Sequence, residues 1–290
     1  MTPATTADTP AGGLDLRRSL SQELSALAAL FVLTLRQNTH GRRLLVLVLL
    51  YALPCGLAVL LRSLPRPAPV DMLEYALVLN LLPHGLAPLT ALLYAAGMIQ
   101  DEVEEQTLTY LLMRSVPRTA LYVTKFLATL CTTVLLVGAA TAALYVAIYW
   151  GVPDQWRDAL GTRMPRAVGI MALAQVGYCA LFGFLGLFAR RSLITGVAYI
   201  VAIEGVLGNL DFVARKLTVV YYVRTLFVRW LDLPGTILQH GLREWHVDLE
   251  KAPSAEKCLV TLLGFGVAVT ALTAVWFARR EFRVKTPEGS

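Results

Sequence analysis

Six apolar runs constrain this chain more than any other feature. They are Leu44–Leu61, Ala76–Ile99, Phe126–Trp150, Ala167–Ala189, Leu193–Leu210 and Cys258–Ala278. Each approaches or exceeds the roughly 20 residues of helix needed to cross a bilayer. The fifth is the weakest, being short and carrying Glu204. Charged residues make up 16% of the chain, against about a quarter in soluble domains. The runs are continuous rather than alternating, which argues against a β-barrel. Open backbone cannot face lipid, so an all-α membrane protein with six transmembrane helices is expected.

Orientation follows from Lys and Arg in the loops. Six spans put both termini on one side, with fourteen basic residues, while the short loops of the other side hold five. The long segment Asp211–Lys257 adds seven more to that other side. The short loops therefore place both termini in the cytoplasm. The net charge of +6 reads as attraction to the membrane surface rather than to nucleic acid.

Met1–Gly13 is rich in Thr, Ala, Pro and Gly, and reads as a disordered tail rather than a secretory signal. The rest, residues 14–290, reads as a single permease-sized membrane domain. Leu20, Leu24, Leu27, Phe31 and Leu35 recur at helical spacing, so a helix lying in the membrane interface is expected over residues 16–36. Gln37–Arg43, with Gly41, turns the chain into the bilayer. Pro65, Pro67 and Pro69 stiffen an outer loop over Arg62–Glu74. Gly151–Arg166 forms the second outer loop, and Arg190 to Ser192 a tight inner turn. Within Asp211–Lys257, Leu217–Leu231 carries Arg224 and Arg229, too much charge for a comfortable span. An interfacial or re-entrant helix is expected there, with Tyr221, Tyr222 and Trp230 at headgroup level. Cys55, Cys131, Cys179 and Cys258 read as small apolar packing residues.

Several enzymatic readings fail on spacing. There is no H-E-x-x-H pair, no G-x-S-x-G elbow and no Walker phosphate loop. Glu104-Glu105 invites comparison with intramembrane prenyl-protein proteases, whose pattern resembles E-E-x-x-x-R, but position 109 is Thr. No metal is expected on the chain.

The segment between the second and third runs is too polar to cross lipid. It reads DEVEEQTLTYLLMRSVPRTALYVTK from Asp101 to Lys125. Leu108, Leu111 and Leu112 form one apolar face at i, i+3 and i+4. The acids at 101, 102, 104 and 105 suit a helix N-terminus, and Arg114 suits its C-terminus. On charge pattern alone, a solvated, self-capped inner loop is the simpler reading. The ordered set Glu102, Glu104, Glu105, Thr107, Leu108, Leu111, Leu112 and Arg118 changes that balance, because it resembles the type-2 permease family of ATP-binding-cassette (ABC) transporters. That family's loop runs roughly E-x-E-x-G-T-L-E-x-L-L, then Pro, Arg and a later Lys. Here Gln106, Thr109 and Ser115 depart from it, although Pro117 lies nearby. A second resemblance is the Glu204-Gly205 pair, followed outside by Arg215-Lys216-Leu217-Thr218.

The resemblance implies a membrane subunit in the inner membrane of a bacterium, working as an exporter. It implies two ATPase partner subunits, a second copy or a related permease, and surrounding lipid. ATP and magnesium would sit on the ATPase, with no cofactor on this chain. Residues 100–118 would form a cytoplasmic coupling helix, and Lys125 a charge at a helix end.

Glu204 is the other candidate, since a carboxylate within a span costs about 2.5–3.5 kcal/mol on insertion scales. It would serve a polar site on the translocation path or at the subunit interface, or accept a structural hydrogen bond from Gln175 or Lys125. Asn80, His84 and Gln175 are weaker candidates for the same path, on a second span kinked by Pro83 and Pro88. An alternative of another class, an ion-coupled secondary transporter or channel, would use Glu204 as its ion site.

Overall fold

The computed structural model describes residues 12–104, 117–152, 158–189, 191–206, 208, 213–245 and 252–279. It is 90% helical, with no strand among the described residues. We number the helices α1 Gly12–His40, α2 Arg42–Ser63, α3 Val70–Gln100, α4 Arg118–Tyr149 and α5 Ala159–Phe188. They continue as α6 Ser192–Val206, α7 Val219–Trp230, α8 Gly235–Glu244 and α9 Ala255–Arg279. Beyond Gln100, helix runs on to Glu104.

Five helices, α2, α3, α4, α5 and α9, are long and apolar enough to cross a membrane. The run expected as the fifth span forms α6 instead. At 1.5 Å per residue α6 reaches about 22 Å, less than the roughly 30 Å hydrocarbon core. It still carries the chain from the Gln100 end of α3, where Ser192 lies, back toward the first half of α3, and α9 returns the chain so that Trp276 meets Phe188. Helix α6 is described to Val206, and Glu204 near that end turns to another helix. The N-terminal helix begins at Gly12, earlier than the expected 16, and packs along α4. Most of the expected tail, residues 1–11, lies outside the described residues. A bend at Gly41 separates α1 from α2, as the sequence suggested.

The core is built around α5, which touches α3, α4, α6, α7 and α9. In the most apolar windows of α3 and α5, 61% of residues are buried, against 22% in α2 and 28% in α9. The side chains that α2 and α9 leave outside are apolar, including Leu45, Leu49, Leu53, Val260, Val267 and Leu272. In water such surface would be a liability, whereas lipid tails accept it. Close approach of α3 and α5 depends on Gly186. A Cβ there would stand 2.4 Å from the backbone oxygen of Ala96.

α3 is not a plain α-helix. Residues Glu74–Leu86 and Leu92–Ala96 are π-wound, with one extra residue per turn. Proline explains the middle of this helix. Ala87 N–H donates to Leu82 O, five residues back. In that register Pro83 O would need the N–H of residue 88, and Pro88 has none. Carbonyls around the two prolines take side-chain donors, most of them from neighbouring helices. Tyr178 Oη on α5 donates to Pro83 O at 3.3 Å, and Gln175 Nε2 donates to Ala87 O at 3.0 Å. Leu86 O accepts from Tyr51 Oη on α2 at 3.2 Å and from Thr90 Oγ1 at 2.7 Å.

Both expected outer loops are shorter in the structure. Helix α3 starts at Val70, so Glu74 lies inside it and is fully buried. Helix α5 starts at Ala159, so Arg163 also lies inside a helix and is buried. The expected helix over 217–231 is present as α7, and α8 follows it. Tyr221 is packed inside the protein with Arg215 over its ring at 5.4 Å, rather than lying open to headgroups, while Trp230 is 40% exposed.

Candidate functional site

One end of the bundle, the one that the loop charges lead us to expect on the inner side, gathers the ends of α1, α3 and α5 and the starts of α2, α4 and α6. Ser192 Oγ, at the start of α6, donates to Gln100 Oε1 at the end of α3. Arg43 NH1 on α2 donates to Leu93 O at 3.3 Å, and Tyr94 Oη donates to Asn38 O at 3.2 Å. Asp101, Glu102 and Glu104 lie on the helical backbone that prolongs α3 toward this end. Arg118 is the first residue of α4. Glu105, Thr107, Leu108, Leu111 and Leu112 lie outside the described residues, within the 105–116 connection between α3 and α4. Lys125 is not at a helix end. Because α4 already begins at Arg118, Lys125 sits seven positions along it, only 2% exposed.

Glu204 is fully buried, and its partners are neither Gln175 nor Lys125. Its carboxylate accepts from Val219 N at 3.2 Å and Val220 N at 3.1 Å, and Tyr199 Oη adds a third donor at 3.3 Å. Thr218 is the N-cap of α7, and its hydroxyl accepts from Tyr221 N at 3.3 Å. Between them the two side chains satisfy the first three N–H groups of α7, which no intrahelical carbonyl can reach. The negative charge also sits at the positive end of the helix. The short apolar helix α6 therefore ends by capping α7, which accounts for a carboxylate in that position.

The weaker candidates fall into two places. Gln175 holds the α3 backbone, as described above. Asn80 and His84 lie together on α3, facing the segment after α6. Trp245 Nε1 donates to Asn80 Oδ1 at 3.0 Å, and His84 Nδ1 donates to Asn80 O at 2.7 Å. Trp245 stacks on Tyr75 at 5.5 Å and lies under Arg224 at 5.6 Å. Tyr75 Oη donates to Glu244 Oε2 at 2.5 Å, tying α8 to α3. Arg224 NH1 donates to Gly208 O at 3.0 Å. Burial outweighs its charged and phenolic neighbours and brings the Arg224 guanidinium down to about 10. These contacts stitch α7 and α8 onto the outer half of α3.

A third polar cluster was missed in the sequence. The buried carboxylate of Glu74 accepts from Arg163 NH1 at 2.5 Å, from Tyr145 Oη at 2.9 Å and from Tyr149 Oη. The Arg163 guanidinium also lies 5.2 Å from the centre of the Tyr149 ring. Three helices, α3, α4 and α5, meet on one carboxylate. Glu74 and Arg163 both sit at the edges of apolar runs, where charges read as loop residues. Tyr145 and Tyr149, spaced i and i+4 at the very end of α4, were the available signal.

A family model for the ABC-2 family transporter proteins matches residues 28–282, nearly all of the chain. The chain belongs to that family. It is an integral membrane protein and an ABC transporter permease. No curated protein matches the chain. The match begins inside α1 and ends just past α9, so it takes in every polar cluster described above. In this ABC-2 permease the acids at 101, 102 and 104 and the three buried clusters all lie within the matched residues.

Proposed function

We propose that this permease is the membrane-spanning subunit of an ATP-driven exporter in a bacterial inner membrane, with both termini cytoplasmic. Separate ATPase subunits bind ATP and magnesium, and this chain has no hydrolytic site of its own. Two such bundles, identical or related, pair around the path for cargo. The ATPase docks on residues 100–118, where Glu102, Glu104, Glu105 and Arg118 offer charge and Thr107, Leu108, Leu111 and Leu112 offer a narrow apolar face.

The observation that carries this reading is where that segment attaches. It joins the end of α3 to the start of α4, and α3 is the irregular helix of the core. A displacement at Glu104 would pass along α3 into π-wound turns whose carbonyls Tyr51, Gln175 and Tyr178 hold from other helices. π-wound turns inside helices occur frequently at functional sites. The ion-coupled alternative loses its main residue, because Glu204 is engaged in capping α7.

The test uses Glu102→Lys combined with Leu112→Glu in the full chain. The variant is expected to remain folded in the membrane while losing association with the ATPase and ATP-driven export. Unchanged association and unchanged export would refute the docking assignment.

A further inference from the structure

At the inner end, α1, the bend at Gly41 and the starts of α2 and α4 enclose a cleft of about 310 Å³. Its charged lining is entirely basic: Arg42, Arg43 and Lys125. Gln37, Asn38 and Thr129 add amide and hydroxyl groups, and none of the ten lining residues is acidic. Lys125 lies about 10 Å along α4 from Arg118 at 1.5 Å per residue. The cleft therefore sits near headgroup depth, at the end that the short-loop charge count assigns to the cytoplasm.

We propose that this cleft binds the phosphate of an anionic phospholipid of the inner leaflet. Three features support a lipid over a soluble anion. The walls continue outward into the lipid-exposed apolar face of α2, with Leu45, Val46 and Leu49 exposed next to Arg42 and Arg43. Acyl chains would lie on that face while the phosphate enters the cleft. Arg43 and two polar residues of the lining are held in place from within the fold. Arg43 donates to Leu93 O, Asn38 Nδ2 donates to Thr132 Oγ1 at 3.3 Å, and Tyr94 donates to Asn38 O. Finally, the cleft joins α1 to α3 and α4. A headgroup seated there ties the peripheral helix to the helices flanking the coupling segment, so lipid composition would set how firmly α1 docks. The site is a property of the single chain and stands whether or not the ATPase reading holds.

The experiment measures lipid retention by the purified full chain, using native mass spectrometry after exchange into detergent with phosphatidylglycerol or phosphatidylcholine. Wild type is expected to retain phosphatidylglycerol in preference to phosphatidylcholine. Each juxtamembrane cation is worth roughly a five-fold change in affinity, so R42Q/R43Q should weaken phosphatidylglycerol retention about 25-fold. Arg42 and Arg43 are exposed at the helix start, so this variant spares the core. Lys125→Arg keeps the charge and is expected to keep the lipid. Arg66→Gln, in the outer loop, is expected to change nothing. Equal loss in Arg66→Gln and R42Q/R43Q would overturn the proposal in favour of bulk charge. Displacement of the lipid by inorganic phosphate would overturn the lipid assignment, because a free anion would then suffice.

Discussion

Arg163→Met is the most informative single change to the fold. Among the described residues the guanidinium is one of three donors on the Glu74 carboxylate, and the only one of them that carries charge. With it gone, a fully buried carboxylate keeps two phenol donors and no counter-charge. Breaking a buried pair by removing one partner costs about 3–5 kcal/mol, roughly two to nearly four powers of ten in the folded fraction. The companion variant Glu74→Gln with Arg163→Met removes both charges. The glutamine oxygen still accepts from a tyrosine, so most of that loss should return, giving a coupling energy of about 2–4 kcal/mol. The assay is denaturant unfolding of the purified full chain in bicelles, with the two single variants completing the cycle. If Arg163→Met stays within about 1 kcal/mol of wild type, or the double variant is as unstable as the single, the cluster does not hold α3, α4 and α5 together.

Three further outcomes follow from particular contacts. Gly186→Ala pushes a methyl group against the Ala96 backbone, so α3 and α5 must separate, at a cost of about 1–3 kcal/mol by the same unfolding assay. Tyr178→Phe leaves Pro83 O without its donor and should cost about 1–3 kcal/mol, whereas a change at the exposed Trp230 at the end of α7 should cost far less. Glu204→Gln retains an acceptor for the α7 N–H groups and should leave transport and its pH profile unchanged, while Glu204→Ala uncaps α7 and lowers stability by about 1–2 kcal/mol. A shifted pH profile in Glu204→Gln would return that residue to an ion-handling role.

Apolar length and loop charge made the helical membrane architecture legible, since both are local properties of the sequence. Five of the six runs became helices long enough to span, and Gly41 broke the chain where glycine and flanking charge suggested. The exceptions have a common physical origin. Glu74 and Arg163 are 89 positions apart, and nothing local distinguishes a loop charge from half of a buried pair. Glu204 could be recognised as costly in lipid, but its compensation is backbone N–H at Val219 and Val220, which side-chain chemistry does not advertise. The π-winding of α3 could be read only as a kink at Pro83 and Pro88; the helices that satisfy its carbonyls are set by tertiary packing. For the candidate coupling residues, Glu102 and Glu104 extend from α3 and Arg118 opens α4, while the leucine face at 108, 111 and 112 lies outside the described residues.

The central claim is that an ATPase engages the segment between α3 and α4. Site-specific photo-crosslinking tests it most directly, with a photoreactive residue at Leu108, Leu111 or Leu112 of the full chain in native membranes, and Leu64 of the outer loop as the control. The account predicts an adduct with a protein that also takes up a photoreactive ATP analogue, formed from the inner positions and absent from Leu64. Adducts that never carry the ATP label, or that form equally from Leu64, would contradict it.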